Sequence, residues 1–297
     1  MRNTDFWNDY ELIDCSDGER LERWGDVILI RPDPQVIWKT QRKNELWKKA
    51  NARYHRSAKG GGEWEILRPF PDEWNIGYRD LTFKIKPMGF KHTGLFPEQA
   101  VNWDFLREVI KTSQGSGCGE GGQIKVLNLF AYTGGATVAA LAEDAAVVHV
   151  DASKGMVAHA KENAALSGLS ERFCRWLVDD CEKFIQREIR RGNRYDIIIM
   201  DPPSYGRGPG GEVWQLEDKV YEFVELASQI LSDDPKMVLI NSYTAGLSPS
   251  VMSYILGSTV SKKYGGKVEC DEIGLPVTET GMCLPCGASA IWTKEQD

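Results

Sequence analysis

No stretch of this 297-residue chain approaches the roughly 20 apolar residues that a membrane helix needs. The opening MRNTDFWNDYELIDC also has no apolar leader segment, and residence in the cytoplasm is the expectation. Cysteine occurs seven times, an odd and scattered number that does not suit a disulfide framework and fits a reducing compartment. Histidine is scarcer still. His55, His92, His149 and His159 lie far in sequence from the close pair Cys283 and Cys286 in CLPC, so a structural zinc site lacks its other ligands and no metal is expected. Two buried thiols flanking a turn is the reading for that pair. Positive charge is short as well. A net charge of −7 argues against a protein that coats nucleic acid with its whole surface. There is no internal repeat or low-complexity tract.

The apolar, charged and aromatic shares (42%, 27% and 10%) are those of a globular chain, and its length suffices for one large and one small domain. Charge is uneven. From Arg31 to Arg68 there are ten Lys/Arg against four Asp/Glu, with Trp38, Trp47, Tyr54 and Trp64 interleaved. Such a mixture can contact phosphates and stack on bases, although a solvated face with anchors in the core has the same composition. The first ninety residues read as short strands and turns (YELIDC, GDVILIRP, GEWEILRPF, LTFKIKPMGF), a small β-rich domain over residues 1–90. WDFLREVIKT is helical in spacing and the loop SQGSGCGEGG follows it. From Ile124 apolar strands alternate with amphipathic helices: IKVLNLF, AAVVHVD, RFCRWLVDD, YDIIIMDPP and KMVLINS are the strands. The fold class is therefore α/β, a doubly wound parallel sheet over residues 91–297, with KVECDEIGLPVTETGM and ASAIWTK as an antiparallel edge hairpin.

In such a sheet the ligand sits outside the carboxyl ends of the strands, where strand order reverses. Past the first strand lies NLFAYTGGATV, in which Gly134 and Gly135 permit a tight turn and close approach of the backbone to a ligand. Past the second comes Asp151 in HVDASKG, where an acid can accept hydrogen bonds from both ribose hydroxyls of an adenosine, or simply cap a helix. Past the third are Asp179 and Asp180, suited to an adenine amino group, with capping of the helix CEKFIQREIRR the alternative for one of them. Past the fourth is Asp201-Pro202-Pro203-Ser204-Tyr205. Consecutive prolines fix an extended backbone and remove two amide donors, leaving carbonyls free to accept. An acid, carbonyls and an aromatic plane together suit a flat heterocycle bearing amino groups.

From about Asp80 onward the order NLFAYTGG, VDASKG, DPPSY resembles the class I S-adenosylmethionine-dependent methyltransferases, specifically the bacterial 23S ribosomal RNA methyltransferase-like family. The first hundred residues look like the small β domain of close relatives. The resemblance implies a Rossmann-like domain holding S-adenosylmethionine through Phe130, Ala131, Tyr132, Thr133 and Gly134 of the turn and through Asp151, Ala152 and Ser153. Asp179, Asp180 and Asp201 would border the cofactor, as would Phe96 and Gln99 of the HTGLFPEQ segment. Asp201, Pro202, Pro203 and Tyr205 would place the acceptor base. Two departures matter: Ala100-Val101-Asn102-Trp103 stands where relatives carry an arginine-containing stretch, and NSYTAGL, with Thr244, has no cysteine where enzymes that methylate a cytosine carbon have one. The amino-terminal RNA-binding module of some relatives has no counterpart here.

A missing cysteine argues against attack at a cytosine carbon, which needs a covalent nucleophile, and leaves a base nitrogen, or a hydroxyl, as acceptor. RNA, through the basic N-terminal region, is the expected partner. A nicotinamide-dependent oxidoreductase would want GxGxxG after the first strand, which TGGATV does not supply. An RNA-binding protein that keeps the cofactor without turnover, and a methyltransferase for a small molecule or protein, remain alternatives.

Overall fold

The computed structural model describes residues 1–57, 61–89, 91–115, 122–207, 213–244 and 246–295. It divides into two compact units, one comprising Met1, Asn102–Ile273 and Gly287–Asp297, the other Arg2–Val101 and Gly274–Cys286. This differs from the sequence-based break at residue 90. Residues 91–101 stay with the N-terminal unit because Lys86 and Met88 amides bond back to the Thr93 and His92 carbonyls and the Trp7 indole donates to Pro97 O (3.1 Å). The tip Gly274–Cys286 joins it through Thr278 and Glu279, whose amides donate to Leu12 and Ile13 carbonyls, both at 3.0 Å.

In the N-terminal unit β1 (Tyr10–Ser16), β2 (Glu19–Trp24), β3 (Val27–Pro32), β4 (Ala52–Arg56) and β5 (Gly62–Ile66) form one sheet in chain order, with β3 and β4 parallel and the other pairs antiparallel. A single helical turn, α1 (Leu46–Lys49), places Trp47 against Ile13, Leu21, Ile28 and Ile30. A separate hairpin pairs β6 (Trp74–Tyr78) with β7 (Leu81–Ile85). The charged strand β2 was not expected as a strand. It holds because Glu22, fully buried, accepts from Arg31 Nε (2.6 Å), Arg31 Nη2 (2.8 Å) and Tyr10 Oη (2.8 Å), and so carries its own neutralising partners inward.

The C-terminal unit is introduced by α2 (Ala100–Gly115) and contains β8 (Lys125–Leu129), α3 (Gly135–Ala142), β9 (Ala146–Asp151), α4 (Lys154–Leu166), β10 (Cys174–Val178), α5 (Cys181–Arg191) and β11 (Ile197–Met200). The short strands β12 (Tyr205–Arg207) and β13 (Val213–Gln215), α6 (Leu216–Ser228), β14 (Met237–Ser242), α7 (Pro249–Leu256), the single turn α8 (Lys262–Tyr264), β15 (Lys267–Pro276) and β16 (Cys283–Thr293) follow. A π turn at Gly257–Ser261 joins α7 to α8. The sheet order is β10-β9-β8-β11-β14-β16-β15; the first five strands are parallel and β16 runs antiparallel to β14. This is the doubly wound α/β sheet expected from the sequence. Strands β11 and β14 are buried at every position, which is why they read as unbroken apolar runs. Order reverses between β8 and β11, the switch point outside whose strand carboxyl ends such sheets bind their ligands.

The CLPC pair does not flank a turn. Cys283 and Cys286 both lie on β16, Cys286 buried and Cys283 half-buried, and the turn falls earlier at residues 278–281. The six described cysteines are free thiols, and no cluster of metal-ligating side chains occurs among the described residues. No helix of the described residues is long and apolar enough to cross a membrane. The glycine-rich loop lies mostly outside the described residues.

Candidate active site

The chain leaves β8 in an unusual turn. Phe130 (φ 54°) and Tyr132 (φ 49°) both adopt left-handed backbone, a conformation that side chains disfavour and that must be held by its surroundings. Here the holders are identifiable. Phe130 N–H donates to the Cys181 thiol at 3.3 Å, Ala131 N–H to Val150 O at 3.0 Å and Tyr132 N–H to Asp151 Oδ2 at 2.8 Å. Thr133 O accepts from the buried Asn163 side chain at 2.8 Å. Gly134 (φ 80°) then starts α3.

Gly134 supplies the left-handed backbone that the tight turn needs, and both glycines also serve packing. A Cβ on Gly134 would meet the Ala160 methyl at 2.8 Å, and one on Gly135 would meet the Trp103 ring at 2.5 Å, so both allow helices to approach one another. Beneath them lies a buried polar chain. Asn128 Nδ2 donates to Thr137 Oγ1 (2.9 Å), which shares a hydrogen bond with His149 Nδ1 (2.9 Å). Burial lowers the His149 pKa to about 3, so the imidazole is neutral, and its Nε2 has no partner among the described residues.

Asp151 ends β9 half-buried, and each carboxylate oxygen takes one amide: Oδ2 from Tyr132 and Oδ1 from Ser153, both at 2.8 Å. Burial pushes its pKa up from the usual aspartate value while those two amides pull it down. A carboxylate offers about four lone-pair sites, so two remain for a pair of vicinal hydroxyls, which is what a ribose requires. Ala152 and Ser153 are exposed beside it, and Ser153 caps α4 by accepting from Met156 N–H. Asp180 caps α5 by accepting from Lys183 N–H at 2.8 Å. Asp179 accepts from the Asp180 amide (2.9 Å) through Oδ1 and pairs with Arg187 through Oδ2, so both acids also serve the local fold.

Past β11, Asp201 N–H donates to Leu129 O (3.3 Å), Pro202 is buried and Pro203 exposed. Of the carbonyls expected to be open as acceptors, that of Pro203 is taken within the chain, accepting the Trp214 indole N–H at 2.7 Å. Ser204 is held twice, its carbonyl by Leu216 N–H (3.1 Å) and its hydroxyl by Thr244 Oγ1 (2.7 Å). Tyr205, on β12 opposite Gln215, leaves 54% of its surface exposed. Thus the turn after β8, Asp151, Asp179 and the DPPSY strap gather at the carboxyl ends of adjacent parallel strands. Phe96 and Gln99 lie in the other compact unit, at and inside a one-turn helix, where Gln99 N–H bonds to Phe96 O at 3.0 Å. Trp214, Asn163 and Cys181 were not anticipated.

A doubly wound sheet with an acid just past its second strand is the arrangement shared by sheets that bind nucleoside-bearing cofactors. The model of the S-adenosylmethionine-dependent methyltransferase family matches residues 37–220, and the chain belongs to that family; it is a methyltransferase whose methyl donor is S-adenosylmethionine. The solved S-adenosylmethionine-dependent methyltransferase of Agrobacterium tumefaciens is 34% identical with a TM-score of 0.89, covering 99% of this chain and 93% of that one. SMU.776, solved with S-adenosylhomocysteine, shares the fold at 19% identity and a TM-score of 0.72, over 98% and 76% of the two chains. The ribosomal RNA large subunit methyltransferase K/L of Shewanella sp. (strain MR-4) is 37% identical over 163 residues, 54% of this chain and 21% of that protein. That of Colwellia psychrerythraea is 28% identical over 184 residues, 61% and 22%. The chain therefore spans about a fifth of the length of these curated relatives.

Proposed function

We propose that this methyltransferase transfers the methyl group to a base nitrogen of ribosomal RNA, working in the cytoplasm. The observation that carries the reading is the DPPSY strap, which starts at Asp201, its amide bonded to Leu129 O at the end of β8, and exposes the Tyr205 ring, beside the turn whose Tyr132 amide Asp151 holds. The names of the curated relatives support RNA as the acceptor. Bound S-adenosylmethionine supplies an already activated sulfonium methyl, so the protein's task is alignment and exclusion of water.

Asp151 would hold the ribose hydroxyls, with Phe130 to Gly134, Ala152 and Ser153 shaping the turn around the cofactor and Asp179 or Asp180 near the adenine. Phe96 and Gln99 are assigned to the cofactor by resemblance alone. Asp201 and the Pro202 carbonyl would accept hydrogen bonds from an amino-bearing base, and Tyr205 would stack on it once the base is unstacked from RNA. No thiol attack is needed for a nitrogen with a free lone pair. The test is mass spectrometry of nucleosides in large-subunit ribosomal RNA from cells with and without the protein. One base-methylated nucleoside should disappear with the protein and return on incubating that RNA with purified chain and cofactor. An unchanged nucleoside profile, or a methyl on a cytosine carbon, would count against the reading.

A further inference from the structure

Trp214 sits on a three-residue strand whose other members, Val213 and Gln215, are exposed, yet its ring is the hub of an aromatic trio. Its centroid lies 5.5 Å from Phe130 and 5.6 Å from Phe223, and those two rings are 5.3 Å apart. Phe130 is the residue in left-handed backbone at the start of the turn after β8, a strained position that its packing must secure. At the same time the Trp214 Nε1–H donates to Pro203 O at 2.7 Å. One side chain therefore touches the turn assigned to the cofactor and the strap assigned to the acceptor.

We propose that Trp214 is a positioning residue that ties the DPPSY strap to the turn after β8, and that its indole N–H, more than its bulk, sets where the acceptor is held for methyl transfer. The proposal rests on the strap being the acceptor site. Two consecutive prolines have no amide to donate, so Asp201 N–H is the last amide before Ser204 that can fasten the strap to the sheet. Between those points a donor must come from outside the strap, and the indole provides it. A phenylalanine could fill the contacts with Phe130 and Phe223; tryptophan alone among apolar aromatic residues adds a donor. A strap that wanders by an ångström misplaces the acceptor without disturbing a ribose held at Asp151, because alignment is most of what the enzyme supplies.

Trp214→Phe separates the two roles. Amide exchange across residues 204–207 should accelerate about tenfold in the variant, the worth of one hydrogen bond, while exchange in α5 is unchanged. Calorimetric affinity for S-adenosylhomocysteine should change less than about threefold, and kcat on ribosomal RNA should drop about tenfold or more with the KM for S-adenosylmethionine held. Trp214→His, a smaller ring that keeps a donor, should recover part of both losses. If the wild-type chain transfers nothing to RNA, the acceptor assignment fails, and exchange alone decides the tie. If Trp214→Phe does not fold, the wild-type chain still provides a test: S-adenosylhomocysteine should slow exchange across residues 204–207, because the turn and the strap share Trp214. Equal exchange in wild type and variant, or no slowing by S-adenosylhomocysteine, would overturn the proposal.

Discussion

Asp151 holds the local fold and is the residue proposed for the ribose, so a single substitution tests both together. Its oxygens hold the Tyr132 and Ser153 amides, and the lone pairs left over suit ribose hydroxyls. Asp151→Ala should therefore lower S-adenosylmethionine affinity by a few kcal/mol, about a hundredfold or more, measured by calorimetry. Unfolding should become easier by about 1–3 kcal/mol, because two amides lose their acceptor. Unchanged affinity in a folded variant would remove Asp151 from the site. The pH dependence has a definite sign. Ribose hydroxyls favour the ionised carboxylate, so affinity should fall as pH drops through a pKa that burial has raised above that of an ordinary aspartate. At the strap, Asp201→Asn and Tyr205→Ala should leave cofactor affinity nearly unchanged and reduce transfer, with loss of the stacking ring costing about 1–3 kcal/mol. Equal damage to cofactor binding in both variants would move these residues to the cofactor side.

The helix-to-helix contacts around the turn after β8 are a matter of elements. Gly134→Ala would place a methyl 2.8 Å from Ala160 in left-handed backbone, and Gly135→Ala would press on the Trp103 ring at 2.5 Å. Each should cost about 1–3 kcal/mol in denaturant unfolding, by overpacking. His149 links the same elements. Its folded pKa of about 3 lies below the usual histidine value, so the unfolded chain binds a proton that the folded one does not. Stability from this group is full above about pH 6.5 and is lost as pH falls toward 3, by about 1.4 kcal/mol per unit. The slope of unfolding free energy between pH 6 and 4 should be shallower by about that amount in His149→Gln. An identical slope would mean that the imidazole is protonated in the folded chain. The parallel strands and their helices were legible in the sequence because both faces of the central strands are covered, leaving runs such as IIIM with no polar interruption. Strand β2 was not, since ERLERW shows its charges but not the buried Arg31 that neutralises Glu22. Helix α7 was missed too, with Gly257 and a π turn interrupting its period. At the site, Asp151 and the strap could be read from their place after apolar strands. The indole that holds Pro203 could not, because no spacing rule says that a side chain eleven residues on reaches back.

For the molecule as a whole, charge decides how RNA could be met. The stretch from Arg31 to Arg68 carries ten Lys/Arg against four Asp/Glu, but folding pairs half of those cations. Arg31 is buried on Glu22, Arg42 and Arg53 pair with Glu19, Lys39 with Asp17 and Lys48 with Glu45. Arg42 also lies over the Trp47 ring, 4.1 Å from its centroid, and Trp47 and Tyr54 are buried, so those aromatics anchor the sheet and offer no platform for bases. What remains without an ion pair among the described residues is Lys43, Lys49, Arg56 and Arg68. If this unit contacts RNA, these four side chains should carry the counterion release. Reversing all four should flatten the plot of log affinity against log salt by about 0.7–0.9 for each phosphate that is no longer engaged. Reversing Lys39 and Lys48, whose exposed pairs already screen them, should change the slope by less and cost little stability. The measurement is a titration of large-subunit ribosomal RNA fragments at several salt concentrations with wild type and both variants. Equal slopes in all three would make the N-terminal unit an ordinary solvated face and leave RNA contact to the C-terminal unit.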